Sequence, residues 1–166
     1  MSNKENLIKE AKRIEEDSIY SSKSHYEAAR TWDNVYLWLG IPTAIIAGIS
    51  GVSAFEEHKL IAGISAIIAA ALASISTFLN PSEKAQAHYI AGQKFTALKN
   101  RTRIFREIEV LDETHENLKE KITLLSSERD SINEVSPQIP RKAFEKARKG
   151  IEEGESEYAV DRNCTT

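Results

Sequence analysis

The chain has 166 residues, of which 41% are hydrophobic and 28% are charged, and its formal net charge is -3 at pH 7. The acidic balance argues against nucleic acid as a partner, because nucleic-acid-binding surfaces are normally basic. The single cysteine, Cys164, excludes an intrachain disulfide framework and a cysteine-based zinc site within one chain. These averages conceal a sharp division of the sequence into apolar and charged segments.

The N-terminal segment, residues 1–34, is predicted to form a helix that continues into a membrane. Apolar and small residues recur along it in steps of four and three, beginning with Leu7, Ala11 and Ile14. Aromatic rings, which anchor helices at membrane interfaces, collect toward its end: Tyr20, Tyr26, Trp32, Tyr36 and Trp38. They place the membrane boundary near Trp32 to Trp38.

Two uncharged apolar runs follow, residues 35–55 and 60–79, separated by only four residues. A helix that rises ~1.5 Å per residue needs roughly 20 residues to cross a ~30 Å hydrocarbon core, and each run is about that long. Burial inside a soluble protein is disfavoured, because so short a chain could hardly cover two helices that are apolar all round. The sequence therefore predicts a transmembrane helical hairpin.

Charges beside the two runs predict how the hairpin is oriented. The connecting loop holds one basic residue, Lys59, against two acids. The outer flanks hold more basic residues: Lys23, Arg30, Lys84, Lys94 and Lys99. Because Lys and Arg concentrate on the cytoplasmic side of membrane proteins, both termini are predicted to be cytoplasmic.

Residues 80–135 are predicted to form one long cytoplasmic helix. It opens on Asn80 and Pro81, which fit either a helix cap with proline in the first turn or a kink in a continuing helix. Farther on, a coiled-coil-like seam follows steps of four and three: Ile104, Ile108, Leu111, His115, Leu118, Ile122, Leu125, Arg129 and Ile132. We expect this helix to pack on the N-terminal one or between subunits.

Two prolines, Pro137 and Pro140, end the long helix, and residues 141–158 are predicted to form a shorter helix that can fold back onto the stalk of the long helices. No segment has the pattern of a strand. The predicted fold is therefore an all-α membrane protein, in which a two-helix transmembrane hairpin joins long cytoplasmic helices packed as a coiled-coil-like stalk.

Small residues recur at four-residue steps in both spans and are candidate helix-packing positions: Gly40, Ala44, Gly48, Ala62, Ala66 and Ala70. Such stripes let helix backbones approach closely in lipid, where packing drives association. They could serve only to close the hairpin on itself. Two stripes offer more contact surface than one hairpin needs, however, and this favours a homo-oligomer in the bilayer.

Hydroxyl side chains within the spans are candidate pore-lining groups: Ser50, Ser53, Ser65, Ser74 and Thr77. A hydroxyl can line a water-filled path, or it can bond back to its own helix, which is the commoner outcome for any one residue. Two helices cannot enclose water, so a pore requires several copies. No charge within the spans indicates an ion relay or a selective transporter.

A basic stretch without acids lies between Gly92 and Arg106 and is a candidate contact patch: Lys94, Lys99, Arg101, Arg103 and Arg106. It could meet anionic lipid headgroups, an acidic helix of a partner or a nucleotide phosphate. The favoured explanation is a solvated face that pairs with acids of a neighbouring helix.

The four histidines are expected to stand alone, since none has a second metal-binding residue at the right spacing on its helix face: His25, His58, His88 and His115. No phosphate-binding glycine loop and no nucleophile elbow is present. The chain is therefore predicted not to be an enzyme and to need no metal or cofactor.

The order of these parts resembles the SLATT family, two-transmembrane effector domains associated with bacterial nucleotide-generating and nucleotide-sensing proteins. The resemblance covers almost the whole chain as a single domain, and it includes the hairpin, residues 88–106 and the ending from Ile139 to Glu155. It implies an effector of a bacterial antiphage or conflict system that oligomerises, opens a pore in the inner membrane and arrests or kills the infected cell.

The resemblance carries no catalytic residues, and it implies that the trigger comes from a partner, such as a nucleotide-signalling or sensor protein encoded nearby, or from an unlocated ligand site. An alternative remains open, in which the hairpin is only an anchor. The protein would then be a non-conducting membrane adaptor whose cytoplasmic coil recruits a partner.

Overall fold

The computed structural model describes residues 3–56, 58–112 and 114–162, and every regular element within them is helical. Cys164, Glu57 and the first two residues of the predicted N-terminal helix lie outside the described residues. The elements are α1 (Asn3–Phe55), α2 (Lys59–Leu79), α3 (Pro81–Ile104), a π-helical turn (Phe105–Glu109), α4 (Val110–Asp112), α5 (His115–Val135), α6 (Arg141–Glu152) and α7 (Ala159–Arg162). The all-α prediction is confirmed.

The chain divides into two compact units. The hairpin unit comprises residues 29–86 and contains both apolar runs. The packed unit comprises the residues up to Ala28 together with those from Ala87 onward, and it contains the buried core.

In the hairpin unit, α1 ends where the first apolar run ends, and α2 agrees with the second run within a residue. The helix that carries the first run is continuous with the N-terminal segment, so α1 extends over 53 residues with Pro42 inside it. The second run coincides with α2, which has 21 residues. A helix satisfies its own backbone polar groups, which is the condition for crossing a hydrocarbon layer.

The two alternatives at Asn80 and Pro81 are resolved in favour of a helix end. Asn80 follows α2 with a φ of 43°, in the left-handed region that asparagine tolerates better than most residues. Pro81 then opens α3, where its missing N–H costs no helical hydrogen bond.

The prediction of one helix over residues 80–135 is wrong in its middle. The chain leaves the helix at Thr114, and α5 returns alongside α3, so that Lys121 Nζ lies 2.8 Å from Glu109 Oε2. In a straight helix, residues twelve apart would be separated by roughly 18 Å. The long helix is instead a helical hairpin.

Burial along the predicted seam is confined to its second half. Leu118, Ile122 and Ile132 are buried, whereas the earlier seam residues are exposed: Ile104 by 44%, Ile108 by 59% and Leu111 by 74%. The core side of α3 and of the following turn uses other residues: Leu98, Thr102, Phe105 and Val110. The π-helical turn holds an extra residue per turn, which is why five positions separate Phe105 from Val110.

The core of the packed unit joins three helical segments. Ala11 and Ile14 of α1 pack in one cluster with Phe95 and Leu98 of α3, and the cluster also takes residues from the π-helical turn, α4 and α5: Phe105, Val110, Leu118, Ile122 and Ile132. Burial of these side chains is the main force that holds the unit together.

The C-terminal helix α6 packs against α1. Its buried residues are Ala143, Ala147 and Gly150. Lys146 Nζ lies 2.7 Å from Glu27 Oε2, and the Phe144 ring lies 6.2 Å from the Tyr20 ring. The helix therefore folds back as predicted, but it ends at Glu152 and not at residue 158, because Gly154 adopts a φ of 86°.

Leu118→Ala should loosen this core. Leu118 is 0% exposed, and truncation of such a leucine costs about 3 kcal/mol. Amide hydrogen exchange of α5, measured on the full chain in detergent, should accelerate on the order of 100-fold if it proceeds through opening of the core. Val135→Ala, at a position 68% exposed on the same helix, is the matched control, and equal acceleration in both variants would contradict the assignment of the core.

Candidate functional site

The two spans meet along a narrow face of small and hydroxyl side chains. Ser50 on α1 donates a hydrogen bond from its hydroxyl to the Ala62 carbonyl on α2, at 2.8 Å. Ser53, Ser65 and Ala69 are each only 8% exposed. Short side chains allow this close approach of two helices.

Three of the other hydroxyls bond back to their own helix, the commoner of the two outcomes considered from sequence. Ser65 donates to the Ile61 carbonyl, Ser74 to Ala70 and Thr77 to Ala73, at 2.6 to 2.9 Å. The five candidate lining residues therefore fall into two groups. Ser50, Ser53 and Ser65 lie in the contact between the spans, whereas Ser74 and Thr77 lie on the exposed surface of α2.

Most of the small-residue positions lie away from this contact. A Cβ atom added at Gly40 or Gly48 would meet nothing within 4 Å. Ala44, Ala66 and Ala70 are exposed, and only Ala62 contributes to the contact between the spans. The hairpin therefore closes without using the stripe on α1.

Large apolar side chains cover much of the remaining surface of the hairpin unit. The exposed fraction is 59% for Ile45, 59% for Val52, 72% for Ile67 and 91% for Phe78. Soluble proteins rarely expose continuous apolar surface of this kind, which is typical of a surface that contacts a membrane or another protein. Both helices are long and apolar enough to cross a membrane.

In the packed unit, two histidines that the sequence left isolated lie in contact. His25 Nδ1 lies 2.9 Å from His88 Nδ1, and the side chains are 1% and 4% exposed. The His25 ring also stacks on Phe95, with ring centroids 5.7 Å apart. The expectation that His25 and His88 stand alone is therefore wrong. They lie on different helices 63 residues apart, so spacing along one helix could not reveal them.

Burial keeps this pair neutral. Burial and then the neighbouring His88 ring lower the pKa of His25 from 6.5 to about 4. Burial also lowers the pKa of His88. A short Nδ1–Nδ1 contact is a hydrogen bond only when one nitrogen carries a proton and the other accepts it. Protonation of both rings would set N–H against N–H in a buried place.

The helices approach closely beside the pair. Gly92 lies one turn beyond His88 on α3, and a Cβ atom there would be 2.9 Å from Cε1 of Tyr26 on α1. A side chain at this position would therefore force the Tyr26 ring to move. The Tyr26 hydroxyl also lies 3.3 Å from the Thr96 hydroxyl. The contact between α1 and α3 is thus closely packed in the turns of α3 that follow His88.

The candidate basic patch is divided among several partners. Arg106 donates from Nε to Glu15 Oε2 at 2.9 Å, and this bond raises the pKa of its guanidinium. Arg101 pairs with Glu128 on α5. Lys99 and Arg103 meet the C-terminal segment through Tyr158, whose hydroxyl accepts a hydrogen bond from Lys99 at 2.9 Å. Lys94 is exposed.

These features define a helical membrane protein with two candidate spans and a separate packed helical unit. A family model described as SMODS and SLOG-associating 2TM effector domain family 4 matches residues 5–163. The chain belongs to this SLATT family, which confirms the resemblance drawn from its sequence. No curated protein and no solved structure matches the chain. Within the described residues, no group of three or more metal-ligating side chains comes together.

Proposed function

We propose that the protein is an oligomeric effector of a bacterial antiphage or conflict system, whose spans assemble into a pore that depolarises or permeabilises the inner membrane on activation. The observation that carries the proposal is the stripe of Gly40, Ala44 and Gly48, which the hairpin leaves uncovered. In lipid such a stripe favours contact with another helix, because small side chains gain packing that a lipid tail does not supply.

A second copy is the natural occupant of that stripe. Neither span carries a charged residue that would demand a specialised partner. A ring of copies could also place hydroxyls such as Ser74 and Thr77 toward a central path, where water could replace their bonds to their own helix. A single hairpin cannot do this, since two helices enclose no lumen.

The proposal assigns both termini to the cytoplasm, so that the packed unit can receive a signal there. The contact between α1 and α3 and the helical hairpin of α3 and α5 are the elements that could have two arrangements. A nucleotide-signalling or sensor protein encoded nearby is the proposed source of the signal. This fits a family whose members are described as associating with such proteins.

Dye release from liposomes tests the proposal. The purified full chain should release trapped dye well above the level of empty liposomes and of a control whose two spans are scrambled. If liposomes stay tight and an unrelated two-span anchor in place of the hairpin preserves the cellular activity, the protein is a non-conducting adaptor and the pore proposal fails.

A further inference from the structure

A groove of about 340 Å³ runs between α3 and α5 in the packed unit. Phe105 and Leu125 contribute to its lining, as do Ile104 and Leu124, which are 44% and 62% exposed. Ile108 and Leu111 continue the exposed apolar surface, at 59% and 74%. We call this surface the α3–α5 groove.

Four charged residues lie at the ends of the α3–α5 groove, and their signs alternate around it. Arg101 and Glu128 pair across one end, and Glu109 and Lys121 pair across the other. Their side chains remain between 33% and 54% exposed. On the α3 side, the basic Arg101 lies at one end and the acidic Glu109 at the other. On the α5 side, the acidic Glu128 faces Arg101 and the basic Lys121 faces Glu109.

This alternation is complementary to itself under two-fold symmetry. If a second copy is turned about an axis along the helices, Arg101 faces Glu128 of the second copy. If the axis crosses the helices, Arg101 faces Glu109 of the second copy. In both cases opposite charges meet at each end and the apolar centres lie against each other, as an isologous interface requires.

We propose that the α3–α5 groove is a docking surface for a second copy of this chain, in which Ile104 and Leu124 form the apolar centre and the four end charges fix the register. The inference deepens the proposed function and rests on its homo-oligomeric assembly. It assigns part of that assembly to the packed unit. The exposed apolar residues at the centre would then be covered, which removes their contact with water.

Lipid is a poorer occupant of the groove than a second copy. The groove carries an acid at each end, Glu128 and Glu109. Anionic lipid headgroups would repel these carboxylates.

Disulfide cross-linking of the full chain in liposomes tests the docking surface. Two variants are made in a Cys164→Ser background, one with Ile104→Cys and the other with Leu124→Cys. Each variant is reconstituted alone, and the two are also reconstituted together. If the two-fold axis crosses the helices, each variant is expected to form disulfides with a second copy of itself. If the axis runs along the helices, disulfides are expected between position 104 of one copy and position 124 of the other. Val135→Cys, at an exposed apolar position on α5 outside the groove, is the matched control. Cross-linking no stronger than that control, in every combination, overturns the proposal.

A charge reversal supplies the second arm. Arg101→Glu should lower the yield of cross-linked dimer roughly fivefold, since the loss of one rim charge pair is worth about 1 kcal/mol. Lys94→Glu makes the same change at an exposed position of α3 and should leave the yield unchanged. Equal yields in the two variants, with equal helix content by circular dichroism, overturn the charge-fixed register.

Dye release from the same liposomes separates this inference from the proposed function. Cross-linking through positions 104 or 124 in liposomes that stay tight supports the docking surface and counts against the pore. Leaking liposomes without cross-linking overturn the docking surface and leave the pore standing.

Discussion

Replacement of both Gly48 and Ala66 by leucine is expected to reduce dye release from liposomes by roughly tenfold or more, toward the level of empty liposomes. Leucine would hold neighbouring helices apart where the small residues let them touch. The substitutions should not disturb the hairpin itself, because a Cβ atom at Gly48 meets nothing within 4 Å and Ala66 is exposed. Release is measured on full-length protein reconstituted at equal density.

Ala71→Leu is the matched control for this prediction. Ala71 is also exposed on α2, but by helical spacing it shares a face with Ile64, Ile67 and Ile75, which are large apolar residues that suit lipid. The control should leak as the unaltered protein does. Release that persists in the double variant, or that is lost equally in the control, would count against packing through the small-residue stripes.

Acidification from pH 7 to pH 5 is expected to loosen the contact between α1 and α3 through His25 and His88. The pKa of His25 is about 4 in the folded protein and about 6.5 in an unfolded chain. The neutral ring is therefore favoured by folding, so its contribution is complete above pH 6.5 and is lost as the pH falls toward 4. The expected loss by pH 5 is about 2 kcal/mol.

Amide hydrogen exchange of α1 and α3, corrected for the intrinsic effect of pH, measures this loss. The double variant His25→Gln/His88→Gln keeps hydrogen-bonding groups at both positions and should remove most of the dependence between pH 7 and pH 5. The control variant His115→Gln, which changes an exposed histidine, should retain the pH dependence of exchange. A pH dependence that survives in the double variant would exclude the histidine pair as its source.

The features that could be predicted from the sequence are those set by neighbouring residues. The two apolar runs follow from the absence of charge, and the end of the first run and both ends of the second agree with the ends of α1 and α2 within a residue, because hydrophobic length is a local property. The start of α6 directly after Pro140 likewise follows from the sequence.

The features that escaped prediction depend on contacts between distant segments. The spacing of Ile104, Ile108 and Leu111 indicated a buried seam, yet the chain turned at Thr114 and used Phe105 and Val110 instead. No local pattern distinguishes a seam that is buried from one that is left exposed. The histidine pair escaped for the same reason, since its members meet only after α1 and α3 pack.

The π-helical turn at Phe105–Glu109 accommodates one residue more than an ordinary helical turn. If the same residues formed an α-helix, Glu109, four positions after Phe105, would take the place on the core side that Val110 fills. Deletion of one residue between Phe105 and Val110 would remove the extra residue and let an ordinary α-helix carry Val110 to the same place. A family member with one residue fewer here could therefore fill the core with the same side chains.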